Sequence, residues 1–173
     1  MQELPDIIII RGAPGSGKSQ VAKSLSQFFP KGVRLEVDSI RQMVISVDWK
    51  NQIEHINMLQ ASTKLVYEFL KFGFSPIFVI DTFSGDKINR YLESLYHFDP
   101  KLSIKIFGLF TTEDELKRRL EKRLNGEFKD FLICKKLNDD VLKWKHDSEL
   151  QFDTTGFLPS QSAEKLYKMI DTE

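Results

Sequence analysis

Ile7-Ile8-Ile9-Ile10-Arg11 runs directly into Gly12-Ala13-Pro14-Gly15-Ser16-Gly17-Lys18-Ser19, with Gln20 next. An apolar run that stops at a glycine-rich turn predicts a strand buried on both faces of a parallel sheet. The turn itself fits the phosphate-binding P-loop pattern: Gly, any four residues, Gly-Lys, then Ser or Thr. Its glycines let several backbone N–H groups converge on one anion. A helix that starts where the loop ends adds the positive end of its dipole at the same point. Gly12 to Gln20 are therefore the expected cradle for a nucleotide phosphate. Lys18 supplies a positive charge for the β- and γ-phosphates of ATP, and the Ser19 hydroxyl a ligand for Mg²⁺.

Outward from this loop, composition narrows the choices. The 173 residues hold 25 Lys and Arg against 25 Asp and Glu, so the formal net charge is zero. That balance argues against a global attraction to nucleic acid or membrane. The length suits one domain, residues 1–173. Cys134 is the single cysteine, which excludes an intrachain disulfide and a multi-cysteine metal site; an inert, half-buried thiol is expected. Ahead of the first apolar run stand Glu3 and Asp6 with no positive segment, so a strand and not a signal peptide is expected. No stretch has the roughly 20 apolar residues needed to cross a bilayer. A soluble, cytoplasmic protein is the expectation.

Along the chain, strand and helix patterns alternate. Val21, Leu25 and Phe28/Phe29 recur at helical spacing until Pro30-Lys31-Gly32. A second strand spans Val33 to Val37, and a helix starts with Asp38 or Ser39 as cap. A long helix is expected from Asn51 to Phe72, with Ile53, Ile56, Leu59, Val66 and Leu70 as its apolar stripe. Ile77 to Asp81 and Ser103 to Phe110 read as strands, with a helix over 86–97 between them. Thr112 to Glu115 has the form of a capping box opening a charged helix to about Leu124. Residues 127–136 read as irregular and 138–147 as a short helix. Gln151 to Thr154 is a last strand, and Ser160 caps a final helix. This alternation predicts a three-layer α/β fold, a parallel sheet with helices on both faces. Ligands bind at the carboxyl ends of such strands, where Gly12–Ser19, Asp38, Asp81 and Thr111 all fall.

Phosphoryl transfer needs a group that takes the acceptor proton and positive charge on the transferring phosphoryl. Asp38 and Asp81 are the two candidate acids. Arg41 lies three residues after Asp38, one helical turn away, so the pair forms a compact acceptor site. Asp81 ends an apolar strand, the position of an acid that holds Mg²⁺ through water. The two acids could exchange these roles. Arg119 and Arg123 share one face of the charged helix, as do Arg118 and Lys122, and the first pair is favoured as lid residues over bound ATP. The lid is expected over about 113–146. His55, His97 and His146 share no metal-ligand spacing and are expected in ordinary surface or interface roles; Trp49 and Trp144 are expected to pack. Asp153-Thr154-Thr155-Gly156 matches a GTPase-type Asp-x-x-Gly, but no Asn-Lys-x-Asp follows, so a GTPase is disfavoured.

Taken together, the P-loop, Asp38-x-x-Arg41, Asp81-Thr82 and the basic helix resemble the small P-loop kinases. These include phage-type polynucleotide 5′-kinase, chloramphenicol phosphotransferase and zeta-toxin-like kinases. The resemblance runs from Ile7 to about Arg123. It implies a five-stranded P-loop NTPase sheet in the order 2-3-1-4-5 and a mobile lid. It also implies that Asp38 is the general base, Arg41 an acceptor-side or transition-state contact, and Arg119 and Arg123 lid residues. Asp153 to Thr155 would lie beside the adenine. At Phe83 the sequence departs from the polynucleotide kinases, which usually carry a polar residue there. The resulting expectation is an ATP-dependent kinase acting on a hydroxyl of a small molecule or nucleotide. A polynucleotide 5′-hydroxyl kinase and an ATP-binding module without an acceptor are the alternatives.

Overall fold

The computed structural model describes residues 4–171; Glu3, named above for its charge, lies outside them. Five parallel strands form one sheet in the order β2-β3-β1-β4-β5. They are β1 (Ile7–Gly12), β2 (Val33–Glu36), β3 (Ile77–Asp81), β4 (Ile104–Phe110) and β5 (Glu149–Asp153). The helices are α1 (Lys18–Leu25), α2 (Val37–Arg41), α3 (Gln52–Lys71), α4 (Lys87–Phe98), α5 (Glu113–Glu121), α6 (Phe131–Lys143) and α7 (Pro159–Asp171). The predicted three-layer α/β architecture and strand order are those observed.

The central strand β1 shows why the isoleucine run is needed. Side chains alternate across a strand, so each neighbour of β1 must find apolar cover on its own side. Ile7 and Ile9 join Leu35, Val79 and the inner faces of α2, α3 and α4. Ile8 and Ile10 join Phe78, Phe107 and Leu109 under α1 and α7. All four isoleucines are fully buried, each worth about 1.5–3 kcal/mol relative to exposure.

Several sequence expectations change at element ends. The second helix begins at Val37, so Asp38 stands inside its first turn and is not its cap. In α3, Asn51 caps by accepting from the Ile53 and Glu54 N–H groups. Ile53 falls outside the apolar stripe and is 72% exposed. The expected capping box at α5 does not form: the Thr112 N–H donates to Thr155 Oγ1, and Glu115 turns to Arg118 and Arg119. Residues 131–136, expected as irregular, belong to α6, which Asp130 caps through the Ile133 N–H. The last helix starts at Pro159, which leaves Ser160 within it, and proline's fixed φ suits a first helical position. Cys134 is fully buried against Leu116 and Leu120, and burial raises its thiol pKa, in keeping with an inert thiol. Among the described residues no helix is long and apolar enough to cross a membrane.

Candidate active site

Register brings the carboxyl ends of the strands level. Arg11 stands opposite Asp81, Gly12 opposite Leu109, and Phe110 opposite Asp153. The P-loop rises from β1 into α1 at this edge. Gly15 holds φ +89°, a backbone conformation that favours glycine, and a Cβ there would press on the Leu116 Cδ1 methyl at 2.7 Å. Ser16 Oγ is buried with no protein partner. A buried hydroxyl without a protein partner in a glycine-rich loop suits an anion that the loop encloses.

Lys18 is partly buried, and burial lowers its pKa; Asp81 and Asp38 act in the opposite direction. Both acids therefore lie within the charge field of the loop lysine. Asp38 is exposed on its outer side. Its pKa is raised, first by the protein mass around it and then by the negative charge of Asp81. A base with a raised pKa takes a proton more readily near neutral pH. Asp81 is 5% exposed. Burial alone would raise its pKa, but hydrogen bonds from His55 and the Phe83 N–H and the charge of Lys18 outweigh it, and the carboxyl stays ionised.

Arg41 is 5% exposed, its guanidinium stacked 4.6 Å over the Trp49 ring, and one terminal nitrogen donates to the Asp48 carbonyl at 3.2 Å. Trp49, expected to pack, is 46% exposed and holds the Arg41 guanidinium by stacking. Arg41 Nε is buried without a partner.

The two lid candidates differ. Arg119 donates from Nε to Glu115 at 2.7 Å, and from its terminal nitrogens to the Ser16 carbonyl at 3.2 Å, Thr154 Oγ1 at 2.9 Å and the Thr154 carbonyl at 2.7 Å. These contacts hold Glu115 ionised, its pKa lowered to about 2, with Arg118 contributing first and Arg119 after it. Arg119, expected as a lid residue, braces α5 against the P-loop backbone and the end of β5. Thr154 shares that task, since its hydroxyl also donates to the Ser16 carbonyl at 2.8 Å. Arg123 donates to the Phe128 carbonyl at 2.7 Å and lies close enough to Lys18 for its charge to lower the lysine's pKa. Arg119→Ala is expected to lower stability by about 2 kcal/mol, the scale of losing hydrogen bonds from a charged group; a urea melt unchanged from wild type would refute the brace.

Three residues of this edge escaped the sequence reading. His55, expected in an ordinary surface role, is buried with Nε2 3.0 Å from Asp81 Oδ1. Lys87 Nζ lies 3.1 Å from His55 Nδ1. Arg11, at the end of β1, is fully buried and donates to Glu149 at 2.9 Å, the Phe83 carbonyl at 3.1 Å and the Trp144 carbonyl. Gly108 leaves the room for Glu149, because a Cβ there would collide with its carboxylate. Phe83, at a position where the polynucleotide kinases carry a polar side chain, turns its ring into the core against Tyr91, with centroids 5.0 Å apart. It does so at φ 47°, a conformation costing a non-glycine residue about 1–2 kcal/mol. The contacts to Asp81 and Arg11 hold it there.

Among the described residues no group of three or more His, Cys, Asp or Glu could form a protein-only metal cage. The Ser19 hydroxyl, in the first turn of α1, and the ionised Asp81 carboxylate, at the end of the adjacent strand β3, are both hard-oxygen donors. That suits Mg²⁺ shared with phosphates, which keeps most of its ligands as water and substrate oxygens. A groove of about 900 Å³ runs further along α3 and α4 past Ala61, Leu65 and Phe98, and neither Lys18, Asp38 nor Asp81 lines it.

Residues 7–136, from β1 into α6, match the model of a family described as an AAA domain. The chain belongs to the AAA domain family. Several solved structures share the fold of this AAA domain chain. A sugar kinase from Janibacter sp. is 16% identical with TM-score 0.70, over 96% of this chain and 95% of that one. A tunicamycin resistance protein from Deinococcus radiodurans is 20% identical with TM-score 0.68, over 97% and 96%. The Pnkp1/Rnl/Hen1 RNA repair complex contains a chain 23% identical with TM-score 0.63, over 86% of this chain and 48% of that one. The likeness is one of fold, the P-loop kinase fold. No protein of curated function matches the chain in sequence.

Proposed function

We propose that the protein is an ATP- and Mg²⁺-dependent kinase that transfers the γ-phosphoryl group to a hydroxyl of a small molecule or nucleotide. One observation carries this reading: Lys18 opens α1 behind β1, Asp38 stands in the first turn of α2 behind β2, and Asp81 ends β3, and these three strands are neighbours in the sheet. The phosphate lysine, an outward-facing base and a buried acid therefore meet at one sheet edge. A nucleotide-binding module without an acceptor has no need of the first acid.

In this reading the backbone of Gly12 to Gln20 cradles the phosphates, and Lys18 neutralises charge on the β- and γ-phosphates. Ser19 and Asp81 hold Mg²⁺, which when bound offsets phosphate charge. Asp38 takes the acceptor hydroxyl proton as the new P–O bond forms and the bond to the leaving ADP oxygen breaks. Arg41 positions the acceptor. Arg123 approaches from the lid, about 113–146, while Arg119 keeps the P-loop in shape. Most of the rate enhancement is positioning and electrostatics.

A small-molecule acceptor is favoured over a polynucleotide end by Phe83, which offers no polar side chain, and by the net charge of zero. Transfer from ATP should be screened against nucleosides, oligonucleotides, sugars and antibiotics. Phosphorylation of one class supports the kinase reading. Oligonucleotide affinity that falls steeply with salt would favour the polynucleotide alternative.

The Asp38 environment also predicts a pH profile. The active form is the carboxylate, so kcat/KM should fall as pH drops through the Asp38 pKa. That pKa is raised above the ordinary 3.8, which puts the acid limb above the ordinary aspartate range. Arg41 lowers this pKa, so Arg41→Gln should move the limb to higher pH. A limb that stays in place would detach Arg41 from the base.

A further inference from the structure

We propose that His55 and Lys87 are positioning residues that aim the Asp81 carboxylate, an inference that rests on the kinase reading of Asp81 as the acid on the magnesium side. Both Asp81 oxygens are engaged by protein donors. Oδ1 lies 3.0 Å from His55 Nε2, and Oδ2 accepts the Phe83 N–H at 2.9 Å. A carboxylate oxygen has two lone pairs, so each keeps one for an outside ligand. With a donor on each oxygen the group cannot rotate without losing a hydrogen bond in a buried setting.

The second contact of the imidazole decides its tautomer. An ammonium can only donate, so Lys87 Nζ, 3.1 Å from Nδ1, makes that nitrogen the acceptor. The ring proton therefore sits on Nε2 and points at Asp81. Lys87 is itself held by Gln52 Oε1 at 2.8 Å and by Ser84 Oγ at 3.4 Å. Gln52 and His55 lie on α3, Ser84 and Lys87 at the entry to α4, and Asp81 ends β3. The clamp ties the acid to α3 and α4, two of the three helices that cover its face of the sheet. Carboxylates that hold a metal are themselves hydrogen-bonded by outer partners of this kind, which fix their orientation.

The test is Mn²⁺ affinity of the full chain with a non-hydrolysable ATP analogue, read by electron paramagnetic resonance, beside analogue binding without metal. His55→Leu removes the donor, and Mn²⁺ affinity should fall about 10- to 100-fold, the scale for loss of such a supporting contact. Metal-free analogue binding should stay near wild type. His55→Gln, whose amide can donate to Oδ1, should recover most of the affinity. Lys87→Met should show an intermediate loss, and it carries the test if His55→Leu does not fold. Unchanged Mn²⁺ affinity in Lys87→Met and in any folded His55→Leu protein overturns the proposal, whatever happens to the melting temperature. Mn²⁺ affinity that depends on the clamp in a protein that phosphorylates no acceptor would leave the clamp standing and remove the kinase. Transfer that persists with Mn²⁺ affinity indifferent to both residues would do the reverse.

Discussion

Asp38→Ala is expected to lower phosphoryl transfer at least about a hundredfold, the scale of losing one charged group that acts in the transition state, with ATP affinity little changed. In the proposed reaction the P-loop and Lys18 bind the donor, whereas Asp38 stands apart on the first turn of α2. Its loss should therefore appear in kcat and not in the KM for ATP. Lys18→Ala should cause a loss of the same size but weaken ATP binding as well, because the lysine serves ground state and transition state alike. Steady-state kinetics with an acceptor found in the screen separate the two patterns. Near-normal turnover in Asp38→Ala would remove it from the role of base and pass that role to Asp81.

The largest effect on stability is expected at Glu149. This residue and Arg11 form an ion pair at 2.9 Å with both side chains fully buried. Removing one partner of such a pair strands a charge in the interior, which costs about 3–5 kcal/mol. Glu149→Leu should therefore unfold at distinctly lower urea concentration than wild type. The pair is imperfectly satisfied, since Arg11 Nε and Glu149 Oε1 have no partner. Replacing both by apolar residues, as in Arg11→Met with Glu149→Leu, should recover part of the loss even though the Phe83 and Trp144 carbonyls lose their donor. A single variant within about 1 kcal/mol of wild type, the range of an exposed pair, would contradict this account.

These two sites show which physical signals a sequence carries. The strands were legible because burial on both faces demands continuous apolar runs such as Ile7 to Ile10 and Ile77 to Ile80. The P-loop was legible because backbone that must turn inward around an anion restricts residue type at fixed spacing. Asp38, Arg41 and Asp81 could be named because strand ends in a parallel sheet converge. The Arg11–Glu149 pair, 138 residues apart, has no such signature, and Arg11 read simply as the polar end of a strand. His55 and Asp81 are 26 residues apart on different elements, so no periodicity joins them. His55 also occupies the buried face of α3 beside Leu59 and Ser62, where pattern reading expects an apolar residue. Arg119 had the right spacing for a lid residue, yet Thr154, at the far end of the chain, takes its guanidinium. The start of α6 was legible in principle: Asp130 is a cap residue three positions before Ile133, but the polar run ahead of it masked the signal.

In the proposed kinase, donor and acceptor halves meet above Gly12 to Ser19. The measurement that tests it most directly is a single-turnover quench with enzyme in excess over ATP labelled at the γ-phosphate, in Mg²⁺ and the screened acceptor. Phosphorylated acceptor should appear at the rate at which ADP forms, one for one. ADP and free phosphate released with no labelled acceptor, at the same rate in wild type and Asp38→Ala, would contradict it and leave a nucleotide-hydrolysing module.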